Sequence, residues 1–296
     1  MNQKQYQRMN TVNGFIAALD QSGGSTPKAL RAYGIADDTY NSDDEMFDLV
    51  HEMRTRIMTN REFTSDKILA AILFEKTMDR KVEGKFTADY LWQEKGIVPI
   101  LKIDKGLADE KNHVQVMKPI PGLDETLERA RNERNIFGTK ERSVIHDNDT
   151  AGIKAIIDQQ FEIGLRVFSH GLIPILEPEV DIHSEHKKEC EEIMLEEIRQ
   201  HLSQLSDDVR IMFKVTLPSV PDFYKDIMDD PHVVRVVALS GGYTQEEANK
   251  LLAENHGLIA SFSRALAQDL RAQQTDEEFT ATLKDAIAKI YEASIK

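Results

Sequence analysis

Ile211-Met212-Phe213-Lys214-Val215-Thr216-Leu217 reads as a strand buried on both faces, with one ammonium group set among its apolar side chains. Seven more short runs rich in Ile, Val, Leu and Phe flank it: Gly14–Asp20, Ile68–Phe74, Val98–Asp104, Arg142–His146, Leu172–Glu177, Val233–Ser240 and Leu258–Ser263. Helical stretches lie between and after them. Asp43–Asn60 sets Met46, Phe47, Val50, Met53, Ile57 and Met58 near one face, and Thr150–Ile163 repeats Ile153, Ile156, Ile157 and Phe161. Asp124–Ile136, Ser184–Leu205, Thr244–Asn255 and Thr275–Ile295 continue the series, and Thr244 opens a capping box with Glu247. Phe86–Gln93 and Val220–Met228 are ambiguous. Eight strands alternating with helices over about 250 residues or slightly more is the pattern of a (β/α)8 TIM barrel. Residues 1–296 then form one barrel domain with an extra C-terminal helix. A doubly wound open sheet is the competing architecture. It usually has fewer strands and a dinucleotide fingerprint after the first, where this chain has Ser22-Gly23-Gly24-Ser25. Lys105–Gly122, the longest irregular stretch, is expected to fold over one end of the barrel.

Composition narrows the function. The formal net charge of −14 argues against broad nucleic-acid binding, which needs a basic face, yet leaves room for a locally basic pocket. Cys190 is the only cysteine, so no intrachain disulfide forms, and its acidic neighbours disfavour a thiolate nucleophile. Met1–Asn10 lacks an apolar signal core, and no apolar run approaches the roughly 20 residues of a membrane span. A cytoplasmic protein with a small-molecule substrate is the simplest expectation. Oligomeric state is open, a homo-oligomer included.

Chemistry in such a barrel sits at the C-terminal ends of the strands. Those ends supply Asp20, Asp104, Glu177, Lys214, Ser240 and Arg264. Burial lowers a lysine's pKa, and a neutral lysine amine forms Schiff bases with carbonyl substrates. A lysine that snorkels or pairs with a carboxylate is the plain alternative for Lys214. Lys102 and Asp104 share one face of their strand, so an ion pair between them accounts for both equally well. Glu177 and Glu179, in Leu176-Glu177-Pro178-Glu179, also share a face, and Glu177 is a candidate acid or base. Ser240-Gly241-Gly242 after the seventh strand, with Arg264 after the eighth, matches a frequent phosphate site of these barrels. Ser22 and Ser25, around Gly23 and Gly24, are placed to bind a second anion. His183 and His186 have a His-x-x-His spacing but no strand-end partners for a metal. No Gly-x-Ser-x-Gly elbow or Gly-Lys-Ser/Thr phosphate loop occurs.

Taken in order, eight segments resemble the class I fructose-1,6-bisphosphate aldolases, the Schiff-base, metal-independent type, and in particular their compact bacterial branch. They are Ala18-Leu19-Asp20-Gln21-Ser22-Gly23-Gly24-Ser25, Ile72-Leu73-Phe74-Glu75, Leu101-Lys102-Ile103-Asp104-Lys105-Gly106, Lys140-Glu141-Arg142, Ile173 to Glu179, the Lys214 strand, Leu239-Ser240-Gly241-Gly242 and Ser261 to Leu266. The resemblance implies reversible cleavage of fructose 1,6-bisphosphate to dihydroxyacetone phosphate and glyceraldehyde 3-phosphate, with no cofactor. It implies Lys214 as the imine lysine, Glu177 as the proton-transfer residue beside it and Glu179 in the same cluster. Lys140 would keep the neighbouring lysine uncharged and bind substrate, and Asp20 would act on the hydroxyl whose proton leaves as the carbon–carbon bond breaks. Ser240, Gly241, Gly242, Ser263 and Arg264 would hold the ketone-side phosphate. Ser22, Ser25, Lys102 and Arg142 would serve the other end. The family's animal members have proline where Val215 stands, glutamate where Gln21 stands, a basic residue at Ala29 and a terminal tyrosine, where this chain ends Ile295-Lys296. Fructose 1-phosphate and tagatose 1,6-bisphosphate are compatible with the same residues. A transaldolase-like lyase and a silent sugar-phosphate binder are the other readings, and an intact Lys214–Glu177 pair speaks for catalysis.

Overall fold

The computed structural model describes residues 2–22 and 24–296, so Gly23 lies outside the described residues. Eight strands build the wall: β1 Phe15–Leu19, β2 Ile68–Leu73, β3 Val98–Lys102, β4 Gly138–Ile145, β5 Ile173–Val180, β6 Ile211–Thr216, β7 Val233–Leu239 and β8 Ile259–Phe262. Each pairs in parallel with the next. β8 returns to β1 through Ile16↔Ser261 and Ala17↔Phe262, which closes the barrel and removes the open-sheet alternative. All eight runs expected from the sequence are strands. β4 departs most, starting at Gly138 instead of Arg142. Thr139, Lys140 and Glu141 hide its first half from an apolar-run reading, because these polar side chains are buried in the wall and break the run.

The two faces of the wall pack separately. Ile16, Ala18, Val98, Ile100, Ile173, Ile175, Met212, Val237 and Ile259 form one apolar cluster, which fills the lower barrel. Residues of opposite parity, such as Phe15, Leu101, Leu176, Phe213 and Phe262, cluster with the helices, where Ile57, Ile153, Phe161 and Leu283 meet them. A helix not foreseen in the sequence, Gln3–Thr11, delivers Met9 to the inner cluster, while Arg8 donates to Ile68 O (3.1 Å) and Arg235 to Met9 O (2.9 Å). A plug needs one apolar side chain, so it leaves no periodic stripe.

The ambiguous stretches hold short helices, Thr87–Gln93 and Lys225–Met228. Thr150–Ser169 continues six residues past the expected end at Ile163 and adds buried Gly164 and Val167 to its packed face. Thr244 forms the expected capping box, and Thr275 with Glu278 forms another at the start of the C-terminal helix Asp276–Ser294. Within Lys105–Gly122, Val114 and Gln115 pair antiparallel with Ile145 and Val144, which lays this stretch over the C-terminal end of β4.

Candidate active site

Period two along the strands carries polar residues upward from the apolar barrel floor. Ile16 and Ala18 lead to Asp20, Val98 and Ile100 to Lys102, Ile173 and Ile175 to Glu177, and Met212 to Lys214. Lys140, Glu177 and Lys214 are each no more than 5% exposed. Lys214 Nζ lies 2.8 Å from Glu177 Oε1. Lys140 Nζ lies 2.8 Å from Glu177 Oε2 and 2.8 Å from Asp20 Oδ2, with Asp104 Oδ2 at 4.0 Å. Lys140 thus bridges two carboxylates from strands on different sides of the mouth. Lys102 pairs with Asp104 (2.7 Å), and Arg142 pairs with Glu179. Asp104 also accepts from the main-chain N–H groups of Gly106 (3.2 Å) and Arg142 (3.3 Å).

Four cations (Lys102, Lys140, Arg142, Lys214) therefore face four carboxylates (Asp20, Asp104, Glu177, Glu179). Burial works to raise the Asp20 and Glu177 carboxyls, but Lys140 and then Lys214 overcome it and hold both below the usual carboxylate range. Burial likewise works against the Lys140 ammonium, and Asp20, Glu177 and Asp104 override it, keeping Lys140 charged. Glu141 shows what happens without such partners. It is fully buried on the outer face of β4, one Oε atom has no partner, and the other has only Thr139 Oγ1 at 3.4 Å. Burial pushes its carboxyl well above the ordinary range, and Asp104 pushes the same way.

A second ring of residues holds the strands in place. Buried Gln160 accepts from the Glu177 N–H (3.2 Å) and donates to Glu141 O (3.2 Å) and Ser143 Oγ (2.7 Å). Thr216 Oγ1 donates to Val180 O (2.7 Å) and accepts from Val180 N (2.9 Å), tying the ends of β5 and β6 together. Arg54, 1% exposed, donates to Thr77 Oγ1 (2.6 Å) and to the Gln21 carbonyl. Sequence reading gave no role to Arg54, Glu141 or Gln160. A signal existed for Arg54, since it interrupts the apolar face made by Val50, Met53, Ile57 and Met58.

The candidate anion sites differ in how they are furnished. Ser240 is buried, and Gly241 (φ +62°) and Gly242 (φ +130°) turn the chain through left-handed backbone. A side chain on Gly242 would reach within 3.8 Å of the Arg264 guanidinium, so this loop and Arg264 adjoin. Ser263 Oγ contacts Gln21 Nε2. At the other end, Ser22 and Ser25 are brought together, but Ser25 Oγ donates to Ser22 O (2.8 Å) and accepts from Ser22 N (3.0 Å). Lys102 and Arg142 are already engaged by Asp104 and Glu179. His186 pairs with Asp147 (2.7 Å), and His183 donates its main-chain N–H to Asp181 (2.9 Å), both in the loops just beyond the ends of β4 and β5, and no group of three metal-ligating side chains occurs among the described residues.

The pattern of fructose-bisphosphate aldolase class-I proteins matches residues 4–220. The chain belongs to the class I fructose-bisphosphate aldolase family. It is 58% identical over 295 residues to the fructose-bisphosphate aldolase class 1 of Clostridium acetobutylicum, covering the full length of both chains. That alignment extends past residue 220 and so includes Ser240 to Arg264. A solved fructose-bisphosphate aldolase from Plasmodium falciparum, in a ternary complex with TRAP and a small-molecule inhibitor, has the same fold. Its TM-score is 0.75 at 19% identity, with 99% of this chain and 94% of that one covered. Membership of this family makes the chain a carbon–carbon lyase, and class I means imine chemistry without a metal. No helix among the described residues is long and apolar enough to cross a membrane.

Proposed function

We propose that the chain cleaves D-fructose 1,6-bisphosphate reversibly through an imine on Lys214, with Glu177, Lys140 and Asp20 handling its protons. The observation that carries this is the Lys214–Glu177 contact of 2.8 Å in a buried mouth, with Lys140 spanning Glu177 and Asp20. Glu177 stands where it can take the Lys214 ammonium proton, freeing the amine to attack the C2 ketone. The same carboxyl then returns a proton to the carbinolamine hydroxyl, which leaves as water and gives the protonated imine. Asp20 takes the proton of the C4 hydroxyl, C3–C4 breaks, and its electron pair moves into the enamine as glyceraldehyde 3-phosphate departs. Protonation at C3 and hydrolysis release dihydroxyacetone phosphate. Lys140, charged and held by three carboxylates, supplies positive charge beside the developing oxyanion. Glu179 keeps Arg142 in place at the edge of the cluster.

Ser240, Gly241, Gly242, Ser263 and Arg264 are suited to one phosphate, since Arg264 is exposed and makes no ion pair among the described residues. Ser22, Ser25, Lys102 and Arg142 are assigned to the other, which must draw Lys102 and Arg142 partly away from their carboxylates. A glycolytic role supports a cytoplasmic enzyme. The test is borohydride trapping: protein, dihydroxyacetone phosphate and EDTA, then reduction and peptide mass spectrometry. The expected adduct is on Lys214, and Lys214→Ala should abolish both adduct and turnover. An adduct on another lysine, or turnover by Lys214→Ala, would overturn the assignment.

A further inference from the structure

We propose that Arg54 is a positioning residue that aims the Ser263 hydroxyl at the substrate phosphate, acting through Gln21. The inference rests on the reading of Ser240–Gly242, Ser263 and Arg264 as a phosphate site.

Arg54 lies on the helix Asp43–Thr59 and is buried, yet no carboxylate among the described residues comes within ion-pair distance of it. A buried guanidinium without a counter-charge is rare and costly, and function is a common reason for keeping one. Burial lowers its pKa to about 10 while Asp20 works to raise it, so it stays charged at neutral pH. Its two terminal nitrogens donate to neutral acceptors instead, Thr77 Oγ1, the Gln21 carbonyl and Gln21 Oε1 at 3.4 Å, and its buried Nε meets no acceptor among the described residues.

Donor and acceptor logic fixes the rest. A guanidinium only donates, so Gln21 must turn its side-chain oxygen toward Arg54. The amide NH2 then faces the other way, where it meets Ser263 Oγ. That nitrogen only donates as well, so Ser263 Oγ is an acceptor in this bond. Its single proton is left to donate elsewhere, and the next residue, Arg264, adjoins Gly242. The chain of donors runs Arg54 to Gln21 to Ser263 to a phosphate oxygen. Each bond polarises the next, and the buried charge at its head sets the direction. The same link joins the loop after β1 to the loop after β8.

The test uses the full-length enzyme, steady-state kinetics with fructose 1,6-bisphosphate and competitive inhibition by inorganic phosphate. Gln21→Glu is the key variant. Its carboxylate accepts from Arg54 and also demands a proton from Ser263, which withdraws that hydroxyl from the phosphate. KM and the phosphate inhibition constant should rise about tenfold, as for loss of a hydrogen bond to a charged group, with kcat much less affected. The thermal midpoint should hold or rise, because Arg54 gains a counter-charge, and this separates the effect from misfolding. Ser263→Ala alone should weaken phosphate to a similar degree, and Gln21→Glu should then add little in that background. Wild-type phosphate inhibition in Ser263→Ala would overturn the phosphate reading itself. Weakening by Ser263→Ala but not by Gln21→Glu would overturn the relay and leave the site standing. An undiminished Gln21→Glu effect in the Ser263→Ala background would show plain charge repulsion and overturn the relay too.

Discussion

Lys140→Met tests whether balanced charge holds the barrel mouth together. Methionine keeps much of the side-chain length and removes only the ammonium. The Lys140 side chain is 3% exposed and touches Asp20 and Glu177 at 2.8 Å and Asp104 at 4.0 Å. Its loss leaves three cations against four carboxylates in the mouth. Breaking a buried pair by removing one partner costs about 3–5 kcal/mol, because a charge stays buried without compensation. With a urea slope of about 3 kcal/mol/M, the unfolding midpoint should fall by roughly 1–1.7 M at pH 7. The pH dependence gives the sign. In the parent enzyme Asp20 and Glu177 are held below their unfolded values, so their stabilisation is complete above about pH 4 and is lost as pH falls further. Without Lys140 burial dominates and raises both carboxyls, so the variant's deficit is largest at neutral pH and shrinks toward pH 4. Adding Asp20→Asn restores a three-against-three balance and should recover much of the lost stability, though not activity. An unchanged midpoint at pH 7, or further destabilisation by Asp20→Asn, would refute the charge-balance argument.

Two more changes probe the wall itself. Burial raises the Glu141 carboxyl well above its unfolded value, so the native state loses stability as pH rises above about 4.3. Glu141→Gln should therefore raise the urea midpoint at pH 7 and change it little at pH 4, and equal shifts at both would contradict a raised Glu141 carboxyl. Gly138→Ala would set a Cβ 2.2 Å from the Ile173 carbonyl oxygen, a backbone atom that cannot yield without opening the β4–β5 pairing. It should destabilise by about 3 kcal/mol or more, as severe overpacking does. Gly164→Ala meets only the tip of Leu176 at 2.7 Å, and thermal melts should show a clearly smaller loss.

Strand number and facing were legible because burial on both sides writes an apolar run, and period two assigns each residue a face. The strand ends read from the sequence gather Asp20, Asp104, Glu177 and Lys214 at one end of the barrel, and parity sets Lys102 on the same face as Asp104. That reading failed at the start of β4 for the same reason, since Thr139, Lys140 and Glu141 break the run. The pairing of Lys102 with Asp104 was local enough to be read from two positions of one strand. Arg54 was visible as a charge on an apolar helix face, but nothing in the sequence named its acceptor.

By itself the sequence determined the eight strands and most of the helices between them, which pairs of side chains share a strand face, and that a lysine sits inside the sixth strand. Only the tertiary structure decided who meets whom. Lys140 and Glu141 are neighbours with similar burial, yet one is pushed toward its charged form and the other toward its neutral form. Their Cβ atoms leave opposite faces of β4, so one meets three carboxylates across the barrel mouth and the other meets a helix. Closure of β8 onto β1 brings Gln21 to Ser263, and the strand registers set Lys140 between Asp20 and Glu177. Such partners are fixed by how eight strands close around an axis, a long-range constraint that no local pattern of residue types contains.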